Sequence, residues 1–566
     1  MNGLFRLGTT VGCASLLLCS GGVRAQAQQA PASGEKPAPA PAAQTPSTPA
    51  ATDVQAQLPA QVQADADTAE YQPPDFILEP PVLPPGATPE QVLTLSVSDA
   101  IQLAARNNLG INLAKTQLGI ARAGVDAARG FFEPELVASY LHREARTPPQ
   151  TILEGNDPNV LFEFDTDEWR AGYQQRTGLG TTLALDFTNI RTESSLNSAV
   201  LPLLYRSVLE LRLTQPLLRG FAFDTDIPRA EVLRAELASV RAQKDVEAAL
   251  LGLVRDTEQA YWDLFQALKS YEVQQGAVQL AEQQLALTRR QIDSGVRPPS
   301  DLINAEGSLA QRELELVRAQ NVGAQAMDQL RFLLNLPRDE WARPLLPRDK
   351  PSFDRLTIEF EPALAQALDH RPELTQRDLD VRRAELDVRV AKANRLPALD
   401  ATASYGLLGQ RPGYGDTVDQ LSSNDARVWS AGVNFSWTPF NEAASADLEA
   451  RELGRQAAHT QRESQELALR LELRAALRGL DTAERSVRAA GKFRSLAERS
   501  LDAEQRRFLN GTSDNFYIAQ RQNDLAGARL AELAALVQHR KAATALRAAM
   551  GVLLSDRGVV LDVRER

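Results

Sequence analysis

The 566-residue chain has two cysteines, Cys13 and Cys19, both within residues 1–25, so the rest can hold neither a disulfide framework nor a thiol site. Its four histidines, His142, His370, His459 and His539, lie far apart and lack ligand spacing, which favours packing or surface roles and leaves metal: none as the expectation. No glycine-rich phosphate loop, Gly-x-Ser-x-Gly elbow or His-Glu-x-x-His pair occurs. An enzyme is therefore not expected, and cofactors: none. No apolar run beyond the N-terminal stretch reaches about 18 residues, which excludes a conventional spanning helix. No Lys/Arg-rich block stands against the net charge of −11, so nucleic acid is not an expected partner.

What is abundant is Ala, Leu, Arg, Glu and Gln, with only 6% aromatics, a composition of long helices. Residues 1–25 read as a secretory signal: Arg6, an apolar stretch from Leu7 to Leu18, then Val23-Arg24-Ala25 as a cleavage site. Leu18 before Cys19 is not the small residue that lipidation needs. Removing this segment takes the net charge to −13, because Arg6 and Arg24 are its only charges. Residues 26–90 form a Pro/Ala-rich stretch without periodicity, expected to be a disordered linker.

Order is expected from a capped helix start at Leu95-Ser96-Val97-Ser98-Asp99, with a second helix from about Ile111 to Arg129 ended by Pro134. From Glu135 the period changes to two, with strand candidates at about 135–145, 169–177, 181–191 and 206–214. The clearest strand comes later. Trp429, Ala431, Val433, Phe435 and Trp437 point one way and Ser430, Gly432, Asn434 and Ser436 the other. A half-buried soluble sheet would show this too; aromatics at strand ends (Trp169, Tyr173, Tyr205, Trp437) and the missing spanning helix favour an outer-membrane barrel.

A long helical pattern runs from about Ile227 to Ile292, turns at Ser294-Gly295-Val296, and returns from Pro298-Pro299-Ser300-Asp301 to Leu336. The figure recurs downstream. Leu469, Leu473, Ala476, Leu480, Ala483, Val487 and Ala490 make a narrow seam on a helix from Asn441 to Leu509. Gly511 then supplies a left-handed stop, and Thr512 or Ser513 can cap the return helix. At 1.5 Å per residue this helix extends roughly 100 Å.

The chain reads as an internal duplication. Ala100 and Ala363, Pro134 and Pro397, and Leu136 and Leu399 are each 263 apart, while Gly295 and Gly511, and Leu330 and Leu546, are 216 apart. The expected organisation is repeat 1 over 91–337, a connector over 338–358, repeat 2 over 359–553 and a tail over 554–566.

Asp99-Ala100-Ile101-Gln102-Leu103-Ala104-Ala105-Arg106-Asn107-Asn108, Phe132-Glu133-Pro134-Glu135-Leu136, Gln215-Pro216-Leu217-Leu218-Arg219-Gly220 and Gly295 followed by Asp301-Leu302-Ile303-Asn304-Ala305, in that order, resemble the TolC family of outer-membrane efflux channels. The resemblance runs from Leu95 to Leu553. It implies a mainly α fold with a β membrane part: a homotrimer whose strands close one outer-membrane β-barrel and whose coiled-coil helices form an α-barrel across the periplasm. The hairpin tips (Gly295, Val296, Gly511, Thr512) would meet a periplasmic adaptor and an inner-membrane pump, and Trp169, Tyr173, Tyr205, Trp429, Phe435 and Trp437 would face outer-membrane lipid.

The chain departs from the family pattern in two places. Its first half has more strand candidates than the usual two, so either the barrel is larger or an extra hairpin lies outside it. At the tips Asp301 matches a family acidic position, but its second-half equivalents are Tyr517 and Gln520, and Ser513 replaces a usual Arg. Arg506, Arg507 and Asp514 are the substitutes for closing the periplasmic aperture. The implied function is a passive exit duct for drug efflux or type I secretion. The competing reading is an exported coiled-coil scaffold anchored by its strands, which has no need of two glycine tips.

Overall fold

The first helix starts where side chains satisfy its backbone. In the computed structural model, which describes residues 71, 73, 92–148, 161–195, 202–295, 298–423, 425–510, 512–513 and 515–559, Ser96 Oγ accepts the Asp99 N–H at 3.1 Å and the Ser96 N–H donates to Asp99 Oδ2 at 3.2 Å. This capping box opens α1 (Val97–Asn107). The hydrogen bonds from the Ser96 hydroxyl and N–H hold the Asp99 carboxyl below its ordinary range. Asn108 then caps α2 (Leu109–Gly130), its Oδ1 accepting the Gly110 N–H at 2.8 Å. Residues 70–566 form one compact unit. The expected signal and most of the linker lie outside the described residues, as do Val296, Gly511 and Asp514.

Alternation then takes over. β2 (Glu135–Thr147), β3 (Phe162–Arg176), β4 (Thr182–Ser194) and β5 (Leu203–Pro216) run as an antiparallel meander. After α3 (Ala230–Asp293) and α4 (Ser300–Leu334), a short β6 (Leu345–Pro347) pairs in parallel with β1 (Leu93–Leu95). α5 (Phe360–His370) and α6 (Pro372–Asn394) lead into β7 (Ala398–Arg411), a ten-residue helix α7 (Tyr414–Ser423), and β8 (Arg427–Ser436). α8 (Glu442–Leu509), α9 (Asn515–Ala549) and the short α10 (Leu553–Asp556) complete the described chain. The sheet order is β2-β3-β4-β5-β7-β8.

Four features differ from the sequence expectation. β3 begins at Phe162 rather than near Trp169, because the acidic run Glu163–Glu168 pairs with β2 all the same. That places Trp169 in mid-strand, and Trp437 falls one residue past β8. Thr417 in α7 supplies a hydroxyl that bonds the Gly413 carbonyl at 2.7 Å, in a stretch for which the sequence reading names no element. The connector contains β6, and the tail begins inside α10.

The helices form a layer in which α2 packs on α3, α3 on α6 and α6 on α8; α4 returns along α3, and α9 along α8 and α3. The main core surrounds Tyr261, Trp262, Leu264 and Phe265 on α3, all buried, with α1, α4 and α9 against them. The Tyr261 hydroxyl donates to the Leu95 carbonyl at 3.0 Å and accepts the Asp349 N–H at 2.9 Å, tying β1 and the chain after β6 to α3. Burial pushes its phenol above the ordinary tyrosine range. A second cluster joins Leu473, Leu480 and Ala483 of α8 to Leu546 and Ala549 of α9 and Leu364 of α5. Each fully buried leucine there contributes about 1.5–3 kcal/mol.

Candidate functional site

Strand register sorts the sheet into two chemically opposite faces. One row across all six strands reads Leu136, Tyr173, Leu185, Leu211, Tyr405 and Trp429. The row beside it adds Ala138, Ala171, Phe187, Leu209 and Leu407 and ends on β8 at Arg427. Trp169, Tyr173, Tyr205, Trp429 and Phe435, chosen from the sequence, all fall on this face, and Trp437 continues its alternation past the strand. The strands run on beyond this belt as the charged row His142, Asp167, Arg191, Tyr205 and Arg411. Trp169 and Tyr140, with ring centroids 5.8 Å apart, lie at the boundary, so the apolar belt ends before the strands do.

The other face carries paired charge. Arg170 Nη2 meets Asp186 Oδ1 at 2.7 Å, Arg212 Nη2 meets Glu210 Oε2 at 2.9 Å, and Ser404 and Ser430 share a hydrogen bond of 2.9 Å. Gly172 makes room for the first pair, since a Cβ there would stand 2.8 Å from Asp186 Oδ1. Such a sheet can separate hydrocarbon from water once its edges are closed.

Among the described residues of the single chain, the outer edges of β2 and β8 pair with no further strand. The helices that join them share one peculiarity. On α2, Ile111, Leu118 and Val125 are buried, while Leu109, Leu113 and Ile120, about half a turn away, are exposed. On α8 the seam read from sequence is buried at Leu469, Leu473, Leu480, Ala483 and Val487, yet Leu453, Leu467, Leu471 and Leu496 form an exposed stripe on the opposite side. A helix with one apolar stripe needs one neighbour; α2 and α8 have two stripes and, in one chain, neighbours on one side.

At the tips, Gly295 has φ +76°, and its N–H reaches the Ile292 carbonyl at 2.9 Å. Asp301 lies in the first turn of α4, its N–H on the Pro298 carbonyl at 3.1 Å. Around the second tip the hydroxyls turn back to α8: Thr512 Oγ1 donates to the Arg507 carbonyl at 3.0 Å and Ser513 Oγ to Glu504. The sequence expectation is that one of them, Thr512 or Ser513, caps α9. Arg506 pairs with Asp502 at 2.7 Å and Arg507 with Glu504 at 3.5 Å, while Tyr517 is exposed and stacks edge-on with Phe516. The structure thus brings Arg507 and Ser513 together through Glu504.

Sequence reasoning missed the buried charges. Arg371 contacts Glu373 at 2.9 Å, Glu472 at 3.1 Å and the α9 carbonyls of Ala548 and Ala549 at 3.2 and 3.3 Å. Burial opposes its charge, but the bonds to Glu472 and Glu373 outweigh that and raise its pKa. Glu532, fully buried, accepts from the Tyr71 hydroxyl; Arg494 Nε lies 2.7 Å from Glu532 Oε2, off the hydrogen-bond direction. Burial first, then Glu532, pushes the Tyr71 phenol up. Gly491 leaves the notch for that ring. Only the partners would have revealed these sites, and they lie 101 residues (Arg371–Glu472) and 461 residues (Tyr71–Glu532) away along the chain.

No curated protein matches the sequence. Among solved structures the chain resembles the Campylobacter jejuni CmeC outer membrane channel (TM-score 0.60, 16% identity, 82% of this chain and 90% of that one). It also resembles the outer membrane protein VceC of Vibrio cholerae (0.59, 17%, 80% and 96%) and the open state of the Neisseria gonorrhoeae MtrE outer membrane channel (0.58, 16%, 84% and 97%). At these identities the likeness is one of fold. Residues 209–336 and 363–552, more than half of the chain, match the profile of outer membrane efflux proteins, and the chain belongs to that family.

Proposed function

We propose that three copies of this chain form the exit duct of a tripartite efflux or type I secretion system. The sheet, closed into a barrel, spans the outer membrane, and the helices carry the duct across the periplasm. Solutes pass through it without chemistry. The observation that supports this most is the two-faced sheet with two free edges, flanked by α2 and α8, each with a second, exposed apolar stripe. Closing the edges against further copies removes unpaired strand backbone from lipid and covers both stripes together.

In this reading the two halves descend from a duplication, and residues 1–25 direct export. Gly295, Val296, Gly511 and Thr512 form the tips that meet a periplasmic adaptor linked to an inner-membrane pump. Asp301, Arg506, Arg507, Ser513, Asp514 and Tyr517 line the periplasmic aperture, where threefold symmetry turns each into a ring of three. The belt aromatics face outer-membrane lipid. Cell fractionation, native mass and planar-bilayer recording test this. We expect an outer-membrane trimer with discrete conductance; a soluble monomer that never conducts would remove the reading.

A further inference from the structure

We propose that β3 and β4 belong to the membrane-spanning wall, so that three copies build an eighteen-stranded barrel sealed where β2 of one copy pairs with β8 of the next. The proposal rests on the duct reading above and adds the composition and width of its wall.

The hairpin is continuous with the rest of the sheet. β2 pairs with β3 without a break from Glu135 opposite Gln174 to Thr147 opposite Phe162, and β4 pairs with β5 from Thr182 opposite Thr214 to Glu193 opposite Leu203. The two-faced chemistry runs through it too. Ala171, Tyr173, Leu185 and Phe187 lie in the apolar belt, level with Leu211 and Tyr405. Arg170 and Asp186, paired across β3 and β4, lie on the polar face with Glu210 and Arg212. A hairpin lying outside the wall would leave that stretch of belt in water and gain nothing for its alternation.

The geometry of the ends fits a closed ring. Six strands in strict antiparallel order leave the two edges running in opposite directions, as an antiparallel seam requires. β2 follows α2 directly and β8 leads directly into α8, so the seam between strands continues as a seam between the exposed stripes of two helices. Strands about 4.8 Å apart, tilted by about 40°, make an eighteen-stranded barrel roughly 35 Å across its backbone. That width leaves a water-filled lumen at the outer membrane and moves the selective constriction elsewhere in the duct. The charges facing the lumen are of both signs and partly paired, as at Arg170 with Asp186, which suits a passage that does not sort by charge.

Both cysteines lie in residues 1–25, so single-cysteine variants of the exported protein can be spin-labelled in proteoliposomes. Leu185→Cys probes the hairpin belt, Val433→Cys the β8 belt and Thr188→Cys the opposite face of β4. Trimer mass serves as the folding control. We expect the labels at Leu185 and Val433 to relax with oxygen and the Thr188 label with a water-soluble nickel chelate, each at least about tenfold selective. If the Leu185 label follows the chelate while that at Val433 stays in lipid, β3 and β4 lie outside the wall and this proposal fails, with the duct intact. If the Val433 label also follows the chelate, the duct reading fails with it.

Discussion

Each return helix ends against a joint between two short helices, but one joint is neutral and the other charged. α4 ends at Asn335, in the left-handed region at φ +46°, whose Nδ2 donates to the Asn107 carbonyl at 2.9 Å, while Asn108 Nδ2 donates to the Leu333 carbonyl at 3.0 Å. α9 ends at Gly551, φ +76°, where a Cβ would come within 3.0 Å of His370, and the neighbouring Arg371 fills the space below the last carbonyls. The same geometric problem, helix-end carbonyls without intrahelical donors, is met with the help of side-chain amides in one half and of a guanidinium in the other, where the N–H groups of Met550, Gly551 and Val552 also cover the carbonyls of Leu546, Ala548 and Arg547. The difference follows from surroundings: α9 packs between α8 and α3 and brings Glu472 within reach, whereas α4 lies along α3 with Val317 and Val322 exposed.

The largest effect should come from removing the charged solution. Arg371→Ala leaves the carboxylates of Glu373 and Glu472 and the Ala549 carbonyl without this donor, while the Ala548 carbonyl keeps the Gly551 N–H, and we expect a loss of about 2–3 kcal/mol, since Glu373 and Glu472 keep part of their hydration. Arg371→Lys should recover little of it, because one ammonium cannot span both carboxylates. Asn108→Ala should cost about 1 kcal/mol, chiefly the lost cap of α2. Denaturation midpoints of detergent-solubilised protein measure both, and equal losses would show that the two joints are energetically alike.

The joints also show what a sequence can tell. The strand at Trp429, the seam from Leu469 to Val487 and the tip at Gly295 were legible because each is written within a few turns or strands of chain. β3 was half legible: its acidic start, Glu163 to Glu168, hides the alternation that Trp169 to Tyr173 makes plain. Arg371 was not legible at all. It is one arginine among many, and what distinguishes it is burial against a helix 177 residues away. For the same reason the apolar belt, a property of six strands in register, emerged only once their pairing was known.

Smaller effects are expected at the tips. Gly295 holds φ +76°, and among the described residues beyond its chain neighbours no atom lies within 4 Å of where a Cβ would be, so a substitution there meets strain rather than a packed neighbour. Gly295→Val should destabilise the tip by about 1–2 kcal/mol, and Gly295→Asn, which tolerates this conformation, by clearly less. Hydrogen exchange of the α3 C-terminal amides reads the difference. If the adaptor docks here, the valine variant should also export poorly as an assembled trimer. Normal export together with unchanged exchange would contradict both points.

α9 differs from α4 again in its buried face, which holds His539 with neither ring nitrogen hydrogen-bonded among the described residues. Burial lowers its pKa; Glu484 of α8 and Asp354 pull the other way, and Arg540 adds to the lowering, while Phe353 stacks on the ring at 4.9 Å. A base whose folded pKa is lowered binds its proton more readily when unfolded. Its contribution is therefore intact above about pH 6.5, the ordinary histidine value, and is lost as pH falls below it. His539→Phe should flatten that acid limb of the stability profile. An identical limb in the variant would place the pH dependence elsewhere.

The smallest effect is expected at the second tip, and it sharpens the contrast with the first. Gly295 closes its turn by backbone conformation, with Pro298 and Pro299 limiting the approach to α4. Thr512 closes its turn by hydrogen bonds, its hydroxyl and N–H both reaching the Arg507 carbonyl at 3.0 Å. Thr512→Val removes the hydroxyl bond alone from an exposed site where water can replace it, so the loss should be about 0.5 kcal/mol. Thr512→Ser should be neutral. Exchange rates of the last α8 amides distinguish the cases: faster exchange in the valine variant only supports a side-chain-held turn, whereas acceleration in the serine variant only would mean that the methyl group, not the hydroxyl, keeps the turn closed.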